Sequence, residues 1–212
     1  MQSAALLDSY GFVTDFVYFY LGEGASIAMM DGQAIVCGRY SDELGSLLHA
    51  LSPSVVSGEL ELMTALYGED VESGIIFCTE DSGVPWGITV VEDRFERVYR
   101  ILQAGFGKPV YPSENYNMWY CDMSHRIRHQ TAKIFLYEDA TATAAFWGKD
   151  AVLLSQIACK SSGNGQAGRL LRSVLAYFGG RKCYVNSMNP TADGFYKHLG
   201  FSPVGQWGKK TR

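Results

Sequence analysis

The ten residues "SGNGQAGRLL", Ser162 to Leu171, constrain this 212-residue chain more than any other stretch. Gly163, Gly165 and Gly168 spell G-x-G-x-x-G. Before them runs "DAVLLSQIAC", mostly apolar, as expected of a strand covered on both faces. After them "QAGRLLRSVLAYF" places Leu170, Leu171, Val174, Leu175 and Phe178 on one helical stripe. Strand, glycine turn and helix together make a backbone anion site. Glycine lets the main chain approach an anion, and a helix start offers unpaired N–H groups and the positive dipole end. The plainer reading is a glycine turn that caps a helix and binds nothing.

A dinucleotide site would need an acidic residue about 20 positions on. That region is "RKCYVNSMN", which holds none, and too few residues follow Gly168 for the rest of a doubly wound sheet. No Gly-Lys-Ser/Thr closes a Walker loop.

A second motif lies downstream. "NPTADGFYKHLGF", Asn189 to Phe201, reads locally as a capped helix. Asn189 suits the N-cap, Pro190 the first helical position and Gly200 the C′ position. Ala192, Phe195, Tyr196 and Leu199 repeat at i, i+3, i+4, i+7. The pattern N-x-x-A-x-x-F-Y-x-x-L-G-F resembles the last helix of the GNAT N-acetyltransferase superfamily. Ser162-Gly163-Asn164-Gly165-Gln166-Ala167 then falls where that family carries Q/R-x-x-G-x-G/A. The order of elements over roughly 117–208 also matches.

The resemblance implies an α/β (α+β) fold with a mixed central sheet flanked by helices, and acetyl-CoA as co-substrate. Gln156, Ile157, Ala158 and Cys159 map onto the splayed strand that pairs with the pantetheine arm. Gly163, Asn164, Gly165, Gln166, Ala167 and Gly168 would give N–H groups to the pyrophosphate. Asn189 matches a position that often touches the cofactor. Tyr196 matches the tyrosine that protonates the leaving thiolate. The implied reaction moves an acetyl group to a primary amine of a small molecule or peptide. The alternative is a catalytically weak acyl-CoA-binding sensor or interaction module. Ser162 replaces the family's long Q/R side chain, and no general base is legible on "DAVLLSQIAC".

The rest of the chain is read from pattern. "ASIAMMDGQAIVCG" holds a hairpin about Asp31-Gly32. Helices are expected at "DELGSLLHAL", "ELELMTALYG" and "DRFERVYRILQAGF", and strands at "SGIIFCTE", "WGITVVE" and "KCYVNS". "GKPVYPSENYN" suggests a boundary, giving an N-terminal α/β domain over 1–106 and a GNAT domain over 107–212. "MWYCDM" reads as a strand, and "AKIFLYED" and "ATATAAFWG" as a hairpin. This leaves no room for the two helices the family places between its first strands. Asp42–Leu51 and Asp93–Ala104 are therefore expected to cover the acceptor side. Whether the N-terminal half is itself a degenerate copy of the fold stays open.

A net charge of −4 with 19% charged residues gives no electrostatic footprint for nucleic acid. No apolar run is long enough to span a membrane, and the N-terminus lacks a signal-peptide pattern. Cys37, Cys78, Cys121, Cys159 and Cys183 are odd in number and scattered, as expected of reduced thiols in the cytoplasm. His125 and His129 stand four apart, but without a third ligand no metal site is expected. Arg126 and Arg128 read as a solvated or structural pair, or as a contact for an acidic group.

Overall fold

The computed structural model describes Leu7 and residues 17–107 and 113–212. These residues divide into two compact units. The first comprises residues up to Phe77 with Asn186–Tyr196 and Ser202–Arg212, and the second Cys78–Val185 with Lys197–Phe201.

In unit 1 a meander of β1 (Val17–Gly22), β2 (Ala25–Met30) and β3 (Gln33–Gly38) leads into α1 (Asp42–Leu51). The expected hairpin turn is present, with Asp31 and Gly32 both at positive φ. Helix α1 returns the chain to β4 (Val55–Glu59), which lies parallel to β3. Then follow α2 (Leu60–Tyr67) and β5 (Glu72–Thr79). Leu44 and Leu48 of α1 and Leu62 and Met63 of α2 bury against Ile27, Val36 and Val56. Each such side chain contributes about 1.5–3 kcal/mol.

Unit 2 repeats this order. Strands β7 (Lys133–Tyr137), β8 (Ala140–Trp147) and β9 (Ala151–Cys159) form the meander. Helix α5 (Gln166–Phe178) crosses over to β10 (Lys182–Ser187), parallel to β9. Helix α6 (Pro190–His198) and β11 (Ser202–Thr211) follow in the chain, with residues 190–196 and all of β11 belonging to unit 1. The two series agree in element order and in the sense of every corresponding pair through β4 and β10. Strand β11 pairs antiparallel with β4, from Trp207↔Glu59 to Thr211↔Val55.

Two expectations are corrected. Residues 118–123 are not a strand but part of α4 (Tyr116–Arg128). Trp119, Met123, Arg126 and Ile127 follow a helical spacing, and all but Arg126 join the core with α3 (Phe95–Phe106). The missing pair of helices is therefore present. Strand β6 (Thr89–Val91) pairs with β7, and α3 and α4 lie between them in sequence. Asp93–Ala104 is thus part of unit 2's own fold rather than a cover supplied by another domain. Positions 106 and 107, between α3 and α4, both belong to unit 2. Residues 108–112 of the proposed boundary lie outside the described residues.

Strand alternation explains how unit 2 holds helices on two faces. Ile134 and Leu136 of β7 pack with Val98, Leu102 and Met123. Phe135, pointing the other way, meets Tyr177 and Phe178 of α5 edge-on. The predicted stripe of α5 is buried in full: Leu170, Leu171, Val174, Leu175 and Phe178 are all within 5% of complete burial.

Two helical glycines should respond oppositely to alanine. At Gly105 an added Cβ would meet the Ala158 Cβ at 2.8 Å, an atom fixed to the β9 backbone. At Gly194 nothing lies within 4 Å. Gly194→Ala is expected to raise stability by up to about 1 kcal/mol, the helix-propensity gain. Gly105→Ala is expected to lower it by about 1–3 kcal/mol through overpacking. Urea denaturation of both variants checks the pair.

Candidate functional site

Strand β9 is paired on both sides only at its beginning. Its parallel register with β10 runs from Lys182↔Ala151 to Val185↔Leu154 and stops there. Pairing with β8 continues through Thr143↔Ser155, Thr141↔Ala158 and Ala140↔Cys159. From Ser155 to Cys159, β9 therefore presents a backbone edge that β10 does not cover. Such an edge can take an extended ligand by main-chain hydrogen bonds.

The same stretch carries a β-bulge. Three steps along β9 match two along β8, and Gln156 adopts φ +48°. A left-handed conformation costs a non-glycine residue about 1–2 kcal/mol. The side chain offsets this cost. Gln156 Oε1 accepts from Thr143 Oγ1 at 3.1 Å and from Trp119 Nε1 at 3.4 Å. A second irregularity sits on β8, where Ala145 is the extra residue. The Ala145 carbonyl accepts from the buried Arg126 guanidinium at 2.6 Å. Arg126 is thus a structural cation. Its neighbour Arg128 donates to the Ser124 carbonyl on the helix surface.

The glycine turn follows. Gly163 (φ +87°) and Gly165 (φ +74°) occupy the left-handed region, and a Cβ at either would meet open space. Gly165 is the N-cap of α5, and having no side chain it puts nothing in the helix mouth. The first intrahelical bond runs from Arg169 N–H to the Gly165 carbonyl. The N–H groups of Ala167 and Gly168 therefore have no acceptor within the helix. Gln166 differs: its N–H donates to Asn164 Oδ1 at 3.2 Å. Its side-chain amide donates to Glu138 Oε2 on the β7–β8 turn and accepts from the Cys159 thiol at 3.6 Å. Gln166 and Cys159 hold the turn together, and Lys160 N–H to the Asp139 carbonyl adds to this at 2.9 Å.

The matching point in unit 1 shows what an ordinary helix start looks like here. Ser41 caps α1, its Oγ accepting from Leu44 N–H at 3.1 Å, and Asp42 and Glu43 occupy the first turn. That mouth is closed by its own side chain and repels anions. Of the two repeated positions, only the start of α5 is built open.

Near that start, Arg169 lies 5.3 Å from the Trp86 ring, and Trp86 N–H donates to Ser173 Oγ. On α3 and α4, Tyr99, Tyr116, Trp119, Tyr120 and Phe95 form an aromatic cluster with centroids 5.1–6.4 Å apart. Trp119 ties it to the bulge. None of these residues was expected at the site from sequence, though Phe95 was read on the apolar face of its helix. Their aromatic content was visible, but its use depends on the helical state of 116–128.

The other expected site residues lie on unit 1's part of the chain. Asn189 caps α6, its Oδ1 accepting from Thr191 N–H at 2.9 Å. Tyr196 is 7% exposed, with its ring 5.7 Å from Phe77. Burial, helped by the charge of Asp193, pushes its phenol up to about 12. The Cys183 thiol is likewise pushed up to about 12, chiefly by burial, which makes it an inert core group. All five cysteines are free thiols. Among the described residues no cluster of three or more His, Cys, Asp or Glu could hold a metal. His125 and His129 stack at 4.4 Å on α4. No described helix is long and apolar enough to cross a membrane.

No family model matches the sequence, and no curated protein is similar to it. Solved structures are. A GCN5-related N-acetyltransferase from Kribbella flavida superposes with a TM-score of 0.63 at 12% identity, covering 98% of this chain and 92% of its own. A tandem GNAT protein from the clavulanic acid biosynthesis pathway gives 0.58 at 11%, covering 98% and 87%. A GCN5-related N-acetyltransferase from Sphaerobacter thermophilus gives 0.56 at 15%, covering 98% and 85%. With the one-sided strand, its bulge and the open glycine turn, these likenesses establish that the chain has the GNAT fold.

Proposed function

We propose that the chain is an N-acetyltransferase that moves an acetyl group from acetyl-CoA to a primary amine of a small molecule or peptide. The observation that carries this is the uncovered edge of β9 leading into an open, glycine-built helix start. Pantetheine is an extended amide chain, suited to the edge at Ser155–Cys159. A pyrophosphate suits N–H groups at Ala167 and Gly168 beside glycines at positive φ. Gln166's own N–H is engaged by Asn164, so Asn164 must turn away for that donor to join. The bulge at Gln156 re-aims backbone N–H groups, the type of donor that stabilises a tetrahedral oxyanion.

In this reading Tyr196 supplies the proton taken by the departing thiolate. Its burial keeps the phenol protonated at any physiological pH, as a donor requires. The free thiols fit a reducing compartment, and we place the chain in the cytoplasm.

A weaker, sensor-like reading draws support from two features. Ser162 offers no long side chain to the phosphates, and the Glu138 carboxylate sits on Gln166 at the turn. Thermal shift followed by thiol release separates the two readings. Acetyl-CoA at 1 mM should raise Tm, whereas NAD should not. With a panel of primary amines, acetyl-CoA should release free thiol. Binding without turnover across the panel assigns the sensor role, and no shift at all removes both readings.

Tyr196→Phe is expected to cut kcat by about 100-fold or more with acetyl-CoA affinity retained. The same variant has a pH signature. A phenol at about 12 in the folded chain and near 10 unfolded holds its proton more tightly when folded. Stability from this group is complete below pH 10 and falls by about 2–3 kcal/mol as pH rises to 12. Denaturation midpoints between pH 9 and 12 should fall less steeply for Tyr196→Phe than for the wild type.

A further inference from the structure

Between β5 and β6 the chain passes along α5 as a strap, and strap and helix belong to the same compact unit. Val84 N–H donates to the Arg172 carbonyl at 3.1 Å, and Trp86 N–H donates to Ser173 Oγ at 2.8 Å. Ser173 is 3% exposed, so the second bond is sheltered from water. Gly83 approaches so closely that a Cβ there would meet the Arg172 carbonyl oxygen at 2.1 Å. From Gly83 to Trp86 the strap therefore climbs toward the start of α5. The Trp86 side chain stays 49% exposed, and its ring carries the Arg169 guanidinium 5.3 Å from the centroid, within cation–π range.

Arg169 is a cation in an unfavourable place. It is the fourth residue of α5, at the end where a helix dipole favours anions over cations. The first turn of α5 holds no acid to offset it, whereas that of α1 holds Asp42 and Glu43. Among the described residues no carboxylate forms an ion pair with Arg169. Glu138, the acid at the turn, accepts from Gln166 instead. From Ser161 to Gly168 the turn has no basic residue of its own. Side chains on a helix lean toward its N-terminus, so a long one at position 169 covers the mouth formed by the Ala167 and Gly168 N–H groups.

An exposed cation that no carboxylate neutralises, pinned by an aromatic ring beside unused N–H groups, suits an anion brought by a ligand. We propose that Arg169 binds the pyrophosphate of coenzyme A through its guanidinium, and that Trp86 is the positioning residue that holds it there. This rests on the reading of the chain as a protein that binds acetyl-CoA. The planar fork of a guanidinium matches two phosphate oxygens at once. Stacking on the indole orders the long side chain before the ligand arrives, so less freedom is lost on binding.

The test is calorimetry on the full chain with acetyl-CoA and with dephospho-coenzyme A, which keeps the pyrophosphate and lacks the 3′-phosphate. Arg169→Ala is expected to weaken both ligands by the same factor, about 10–100-fold. Arg169→Lys should recover only part of this loss, since it returns the charge without the fork. Added salt should weaken binding more steeply in the wild type than in Arg169→Ala. Trp86→Ala should weaken acetyl-CoA by about 3–10-fold in the wild type and by less than about twofold in the Arg169→Ala background. Trp86→Phe, which keeps a ring, should restore most of the wild-type affinity. Arg169→Ala that binds acetyl-CoA within about twofold of wild type overturns the assignment. So does a loss absent with dephospho-coenzyme A, which would put the guanidinium on the 3′-phosphate. Equal losses from Trp86→Ala in both backgrounds overturn its positioning role. A wild type that binds neither ligand in the millimolar range overturns the acetyl-CoA reading itself.

Discussion

The one-sided pairing of β9 is the constraint on which the candidate site depends. A strand inside a sheet normally spends every backbone group on its neighbours. Here β10 leaves β9 after Leu154, and β8 alone holds it to Cys159. The bulge at Gln156 falls just past the point of departure, where a change of direction costs fewest ladder bonds. Thr143 and Trp119 then hold the strained residue from two different elements. Each such hydrogen bond contributes about 1 kcal/mol, enough in sum to offset one left-handed residue. Remove the bulge, and the strand has no reason to present its edge or to deliver the chain to the glycine turn.

The two repeated series make a natural comparison of what a helix start requires. Both follow a meander, and both begin a crossover helix. One is closed by a serine hydroxyl and two acids, the usual means of satisfying the first N–H groups. The other ends in a glycine whose missing side chain leaves those groups to be satisfied by something else. Fold is thus duplicated, while chemistry is concentrated in one copy.

Much of this was legible in the amino acids. The apolar run of β9, the glycines and the stripe of α5 announced strand, turn and helix, because each depends on local pattern. Asn189, Pro190 and Gly200 bounded α6 for the same reason. Helix α4 was not legible as such. Met118, Trp119, Tyr120 and Cys121 are strand-prone side chains, and only the core formed with α3 decides the matter. The bulge was equally hidden, since Gln156 is held at positive φ by partners 13 and 37 residues away.

The pairing of β11 with β4 bears on how the chain is made. Trp207 to Thr211 add to a strand laid down about 150 residues earlier. During synthesis β4 keeps an unsatisfied edge until about 150 further residues have been made. A long wait with an open strand invites pairing with other nascent chains. Lys209 and Lys210, placed in the strand that finally arrives, bring charge to that join, and Lys210 pairs with Asp70. Native assembly is therefore gated by loop closure over a great sequence distance, and the β4 edge depends on the arrival of β11.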